Sequence, residues 1–159
     1  MVICFVFDID DTIYVHKKNI QELNYHTIRP DYQLKSQLQR IIHPKYVLTN
    51  ATFDHANVIV NKMGIDDEFE KIYSRDNIPE MKPSPYCYRS VSIDISDSLF
   101  GQTVNEYIFF DDLLSNLEGA KMQGWKTVWI SPDYLQSYKY PFINKAFPTL
   151  KDALDKVNI

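Results

Sequence analysis

The sequence predicts an α/β fold with a central parallel sheet of five or six strands, covered by helices on both faces. The first observation is the unbroken apolar run Ile3–Phe7, which is typical of a strand buried on both faces. The second is that short apolar runs alternate with segments of helical periodicity along the chain. The third is that carboxylates follow the first run directly, at Asp8, Asp10 and Asp11. Open α/β sheets bind their ligands beyond the carboxyl ends of the strands.

Short apolar runs bounded by turn-forming residues predict the strands. In chain order, the predicted strands are Val2–Phe7, Tyr46–Leu48, Phe69–Tyr73, Tyr107–Phe110, Lys126–Ile130 and a very short Ala146–Phe147. The polar stretch 15–29 has no sustained period, and we interpret it as a loop with a short hairpin or turn.

Apolar residues at helical spacing, together with prolines, glycines and capping residues at the ends, predict the helices. The predicted helices run from Pro30 to Ile42, from Thr52 or Asp54 to Met63, from Ser84 to about Val91, over Leu114–Gln123, and from Thr149 to Lys156. For the segment 93–105, the sequence does not distinguish a helix extension from a loop. The Tyr-rich segment 131–145 is predicted to be irregular.

Length and composition indicate one globular domain, 1–159, with a formal net charge of -4. This charge makes the average surface unlike a nucleic-acid footprint, although a local basic patch stays open. Two cysteines give no disulfide framework, so we expect a cytoplasmic protein. We expect no secretory signal and no membrane partner, since no apolar run approaches the roughly 20 residues of a membrane helix.

Polar residues follow the predicted strands at four places, and parallel strands bring such residues to one edge of the sheet. They are Asp8 with Asp10, Thr49 with Asn50, Lys82, and Asp111 with Asp112. These residue types suit phosphoryl transfer. A carboxylate can attack phosphorus, a second carboxyl can exchange protons, and hydroxyl, amide and lysine groups can hold the phosphoryl oxygens. Two carboxylates brought together favour a hard cation such as Mg²⁺ between them.

The segments FDIDDT, LTN, KP and FDD occur in this order at those places. They resemble the four motifs of the haloacid dehalogenase-like (HAD) hydrolases, and their wording is closest to the pyrimidine 5′-nucleotidase-like branch. The resemblance covers roughly 2–132. It implies a Rossmann-like, HAD-like three-layer fold and a Mg²⁺-dependent phosphatase that works through an aspartyl phosphate.

The resemblance also implies a role for each motif residue. Asp8 resembles the nucleophile and Asp10 the general acid/base. Thr49, with Asn50 beside it, and Lys82 resemble the residues that bind phosphate.

The implied metal site combines side chains from both ends of the motif series. Asp112 takes the place of the main metal-binding carboxylate, with Asp111 as a second-sphere or water-mediated ligand. The Asp8 side chain and the Asp10 backbone carbonyl complete this set. Asn116 stays open between an orienting role and that of an ordinary polar residue in the first helical turn.

The chain departs from the nucleotidase pattern in one respect, because only about 40 residues separate Asp8 from Thr49. Relatives of that type usually insert a helical cap there, so we expect the cap to be missing or reduced to the segment 15–29. An open site would suit a phosphoprotein or a nucleic-acid end, or a small substrate if another subunit supplied a lid.

We therefore predict a phosphomonoester hydrolase, with nucleotide monophosphates as the favoured substrates. The alternatives are a phosphatase of macromolecules and a catalytically silent interaction domain. The four histidines show no metal-ligand spacing. His55 lies just after the second motif and could face a substrate, but a surface position is the favoured prediction. Oligomeric state stays open.

Overall fold

A computed structural model describes residues 2–16 and 24–156, which form a single six-stranded parallel sheet with helices on both faces. The strands are β1 (Val2–Phe7), β2 (Lys45–Leu48), β3 (Lys71–Tyr73), β4 (Val104–Asp111), β5 (Lys126–Ile130) and β6 (Lys145–Phe147). The α-helices of the described residues are α1 (Tyr32–Gln39), α2 (Phe53–Lys62), α3 (Pro85–Ser98), α4 (Leu114–Met122) and α5 (Leu150–Lys156). The predicted α/β, Rossmann-like class is confirmed.

Strand β1 lies in the middle of the sheet, whose order is β3-β2-β1-β4-β5-β6. Its residue Val6 is aligned with Tyr46 of β2 on one side and with Phe109 of β4 on the other. The chain first builds outward from β1 through β2 to β3, and then returns to add β4 on the opposite side. The direction of strand addition therefore reverses between β1 and β4, and this is the place where open α/β sheets bind their ligands.

Alternate residues of β1 supply two separate hydrophobic cores, which explains why the whole strand is apolar. Phe5 and Phe7 point to a core that includes buried residues of α1, α2 and α5. Cys4 and Val6 point to the opposite core, formed with α3 and α4. The sheet is thus the middle layer of three, and it holds the strand ends rigidly.

Several element boundaries differ from the predicted ones for local reasons. Helix α1 begins at Tyr32 instead of Pro30, because the side chain of Asp31 accepts a hydrogen bond from the Leu34 amide at 3.0 Å. Helix α3 continues to Ser98, so the first part of the ambiguous segment 93–105 is helical, because Ile95 extends the buried face of the helix. A turn follows, and β4 begins at Val104. Strand β3 is shorter than predicted.

The Tyr-rich segment after β5 is less irregular than predicted, since it contains a 3₁₀ helix at Tyr134–Lys139. Part of the predicted flap, 15–29, lies outside the described residues. Its described portion includes a second 3₁₀ helix, Tyr25–Thr27. No described helix combines the length and the apolar character that crossing a membrane requires.

Candidate active site

Three side chains meet at the carboxyl ends of neighbouring strands. Asp8 follows β1, and Asp111 and Asp112 lie at the end of β4, next to it in the sheet. Each of these three residues has a carboxylate oxygen within 4.8 Å of one from each of the others. The parallel register of β1 and β4 thus brings together groups more than one hundred positions apart in the sequence.

The acidic cluster Asp8–Asp111–Asp112 is electrostatically unfavourable by itself. Burial raises the pKa of Asp8 from 3.8 to about 6, with Lys82 opposing and Asp111 reinforcing this shift. Burial, followed by the neighbouring Asp111 and Asp8 carboxylates, raises the pKa of Asp112 to about 9. Such a set of hard oxygen donors fits a divalent cation, which would relieve the repulsion.

Lys82, from the loop between β3 and α3, supplies a buried ammonium to this cluster. Its Nζ donates hydrogen bonds to Asp8 Oδ1 at 3.0 Å, to Asp111 Oδ2 at 2.8 Å and to the Leu48 carbonyl oxygen at 2.9 Å. Burial tends to lower the pKa of Lys82, but the Asp111 and Asp8 carboxylates outweigh it and keep this pKa above its ordinary value. The ammonium therefore remains charged at a fixed position beside Asp8.

Asp111 is fully buried, and both of its carboxylate oxygens are bonded. Oδ2 accepts from Lys82 and, at 3.2 Å, from Asn116 Nδ2, while Oδ1 accepts from the Leu113 amide at 2.9 Å. Asn116, whose role the sequence left open, therefore contacts Asp111. With its oxygens occupied in this way, Asp111 is better placed to orient its neighbours than to bind a cation directly.

Thr49 and Asn50 follow β2 at the same edge of the sheet. Thr49 is buried, and its Oγ1 accepts the Ala51 amide at 3.0 Å. The Asn50 side chain bonds the backbone of Lys82 at both ends: Nδ2 donates to the Lys82 carbonyl at 3.0 Å, and Oδ1 accepts the Lys82 amide at 2.9 Å. The Asn50 side chain thus holds the Lys82 loop in place, and its contact with phosphate stays a prediction.

Asp10 lies beside the acidic cluster and is not a member of it. Its Oδ1 accepts hydrogen bonds from His16 Nε2 at 2.6 Å and from His55 Nε2 at 2.8 Å. The structure thus gathers the three side chains expected around the metal, Asp8, Asp111 and Asp112. The Asp10 carboxylate lies outside this cluster, and only the backbone carbonyl of Asp10 was expected to contact the metal. The separation is chemically useful, because an acid/base group needs to exchange protons while the metal-binding carboxylates stay ionised.

Two kinds of site residue were missed by the sequence analysis. Thr12 is buried, and its Oγ1 lies 3.2 Å from Asp8 Oδ2 and 3.4 Å from Asp112 Oδ1. The spacing Asp8-x-Asp10-x-Thr12 was the available signal. The prediction that His55 lies at the surface was wrong, since its side chain is only 20% exposed and bonds Asp10. No sequence signal linked His55 to Asp10, because the bond joins the first turn of α2 to the turn after β1.

No family model matches the chain. Haloacetate dehalogenase H-2 from Moraxella sp. (strain B) is 26% identical over 85 residues, which are 54% of this chain and 36% of that protein. Among solved structures, the putative HAD-hydrolase YfnB from Bacillus subtilis, bound to magnesium, superposes with a TM-score of 0.66 and 21% identity over 80% of this chain and 54% of that one. A predicted phosphoglycolate phosphatase from Haemophilus somnus 129pt superposes with a TM-score of 0.59 and 21% identity, over 77% of this chain and 55% of that one.

The chain thus spans between about a third and about half of the length of these proteins. The structural neighbours are HAD-superfamily hydrolases and include both phosphatases and dehalogenases. The chain has the fold of the HAD-superfamily hydrolases, the family that its four motifs resemble.

Proposed function

We propose that this chain is a Mg²⁺-dependent phosphomonoester hydrolase that forms an aspartyl phosphate on Asp8. The observation that carries the proposal is the meeting of three carboxylates with a single buried ammonium, from Lys82, at the reversal point of the sheet. When all four groups are ionised, their net formal charge is −2. A divalent cation held by Asp8 and Asp112 would balance this charge and reduce the repulsion between the Asp8 carboxylate and an incoming phosphate dianion.

The chemistry then follows from the positions of the side chains. The Asp8 carboxylate attacks phosphorus, and the bond between phosphorus and the leaving oxygen breaks. Asp10 gives its proton to that oxygen, and later takes a proton from the water that attacks the aspartyl phosphate. Phosphate leaves and the Asp8 carboxylate is restored. Lys82 remains protonated throughout and offsets the charge that develops next to Asp8.

A nucleotide monophosphate is the favoured substrate class, supported by the wording of the four motifs. A phosphoprotein or a nucleic-acid end is the alternative, supported by the short interval between Asp8 and Thr49. For a small substrate, we also propose that another subunit supplies a lid over the open site. The cytoplasm is the proposed location, supported by two buried free thiols, Cys4 and Cys87.

Carbon–halogen cleavage is the second candidate, because a haloacetate dehalogenase is among the relatives. A buried carboxylate such as Asp8 could also displace a halide. The bonded Asp10 and the acidic cluster, which fits a divalent cation held by Asp8 and Asp112, favour phosphoryl transfer over this reaction, because halide displacement needs neither a general acid nor a metal ion.

A parallel assay separates the candidates. Phosphate release from p-nitrophenyl phosphate and from a panel of mononucleotides is measured with Mg²⁺ and with EDTA, and halide release from haloacetate is measured alongside. We expect Mg²⁺-dependent phosphate release that is lost in Asp8→Asn, and no halide release. Halide release that EDTA leaves unchanged would instead establish a dehalogenase. Background rates on every substrate would favour the silent interaction domain.

A further inference from the structure

The hydrogen-bond network around Asp10 extends well beyond the residues that the proposed reaction uses. Asp10 Oδ1 accepts from His16 Nε2 at 2.6 Å and from His55 Nε2 at 2.8 Å, and His55 Nδ1 bonds the Tyr25 hydroxyl at 2.7 Å. We call Tyr25, His55 and His16, together with Asp10, the Asp10 network. Its members come from three segments, namely the turn after β1, the 3₁₀ helix Tyr25–Thr27 and α2, so a local turn preference cannot explain how Tyr25 and His55 reach Asp10.

Each histidine is itself held in place. Helix α2 begins after Thr52, whose side chain accepts the His55 amide, so His55 lies in the first turn of a capped helix. His16 is brought back to Asp10 by the turn that follows β1, in which Asp11 has a positive φ of 60° and its Oδ1 accepts the His16 amide. The His16 ring also packs edge-on against Tyr14, with 5.1 Å between ring centroids.

The bond pattern fixes which oxygen of Asp10 can exchange a proton. Both histidines donate to Oδ1 when their Nε2 atoms carry the ring protons, and the Tyr25 hydroxyl can then donate to His55 Nδ1. Within the described residues, Oδ2 of Asp10 receives no hydrogen bond. Two donors on one oxygen restrict the rotation of the carboxyl group, and they leave Oδ2 as the oxygen that is free to carry a proton.

We infer that His55, supported by Tyr25, and His16 are positioning residues that hold the Asp10 carboxyl group in the orientation required for protonating the leaving oxygen. This inference rests on the proposed phosphatase activity. It adds a function for three residues outside the four motifs. The general acid would otherwise be a partly exposed side chain, 36% accessible, with free rotation about its terminal bond.

The test compares two substrates whose leaving groups differ in their need for a proton. p-Nitrophenolate is a stable anion and leaves without protonation, whereas the benzyl alkoxide of benzyl phosphate has to be protonated as it leaves. The kcat/KM value reports the steps up to the aspartyl phosphate, so the later use of Asp10 as a base does not enter it. We expect His55→Ala to lower kcat/KM for benzyl phosphate by about 10- to 100-fold. The value for p-nitrophenyl phosphate should stay near that of the wild type.

Four further variants complete the design. Asp10→Asn should show the same selectivity with a larger loss, on the order of 10²- to 10⁴-fold for benzyl phosphate. His55→Gln, which keeps a donor, should recover part of the activity, and Tyr25→Phe, which removes only the hydroxyl, should give a smaller selective loss. His26→Ala is the matched control, since His26 is exposed and neighbours Tyr25, and its side chain makes no hydrogen bond to a described residue.

The outcomes separate the inference from the proposal beneath it. Thermal unfolding midpoints near that of the wild type show that each variant is folded. If His55→Ala does not fold, Tyr25→Phe provides the test in its place. An equal loss on both substrates, or no loss on either, overturns the positioning role while the wild-type rates leave the phosphatase proposal standing. A wild type that hydrolyses neither substrate with Mg²⁺ overturns both.

Discussion

Replacing Asp8 with Asn should abolish catalysis and, without Mg²⁺, make the protein more stable. Asp8 is 7% exposed and lies near Asp111 and Asp112, and the Lys82 ammonium contacts both Asp8 and Asp111. An asparagine has the same shape. Its carbonyl oxygen can accept from Lys82 as Oδ1 does, and its amide can donate to Thr12 Oγ1. The variant thus retains the hydrogen bonds and removes only the unfavourable charge.

The size of the effect follows from the pKa of Asp8, which burial raises from 3.8 to about 6 in the folded chain. Because this pKa is raised, the folded state holds the proton more tightly than the unfolded state, and ionisation destabilises the fold. The destabilisation is absent well below pH 3.8 and complete above about pH 6. At about 1.4 kcal/mol per pKa unit, it amounts to about 3 kcal/mol at pH 7.5 and about half of that at pH 5.

Urea unfolding at pH 7.5 and pH 5, with EDTA and with Mg²⁺, measures this effect. We expect Asp8→Asn to exceed the wild type by about 3 kcal/mol in EDTA at pH 7.5, and Mg²⁺ to stabilise the wild type far more than the variant. Asp10→Asn is the matched control, because it makes the same change two residues away, outside the acidic cluster, and should give no such gain. An Asp8→Asn protein no more stable than the wild type in EDTA would refute this reasoning.

Three further predictions concern the same site. Lys82→Met should destabilise the fold by about 3–5 kcal/mol, because two buried carboxylates lose the ammonium that they share. Urea unfolding at pH 7.5 measures this loss, and an unchanged unfolding midpoint would contradict the prediction. Gly119→Ala should cost about 1–3 kcal/mol, because an added Cβ would lie 2.9 Å from the Pro83 carbonyl oxygen; a thermal midpoint equal to that of the wild type would show that the loop yields freely. Mg²⁺ binding at pH 8 should release protons, because the pKa of Asp112 is raised to about 9 and its carboxyl group must ionise to bind the cation. Calorimetry in buffers of different ionisation enthalpy measures the number of protons released. Asp112→Asn should reduce that number.

The comparison of sequence with structure is most instructive at Asn50 and His55. Both follow the same strand, β2, and both were judged from their neighbours in the sequence. Asn50 is predicted to bind phosphate, and the structure adds that its amide bonds the backbone of Lys82, 32 positions away. His55 was expected at the surface, but it donates to Asp10, 45 positions away. A polar side chain can take partners from any direction, so its sequence neighbours do not determine which partner it finds.

The sequence by itself determined the sheet, its buried central strand and the edge at which the motif residues gather. These features follow from apolar runs that must be buried and from the geometry of parallel strands, whose carboxyl ends share one edge. Only the tertiary structure decided which of the carboxylates lie together and which one lies apart. Asp8, Asp111 and Asp112 form one cluster around Lys82, and Asp10 is held apart by two histidines. The physical reason is that this division depends on distances of about 3 Å between loops, which hydrophobic patterning along the chain does not encode.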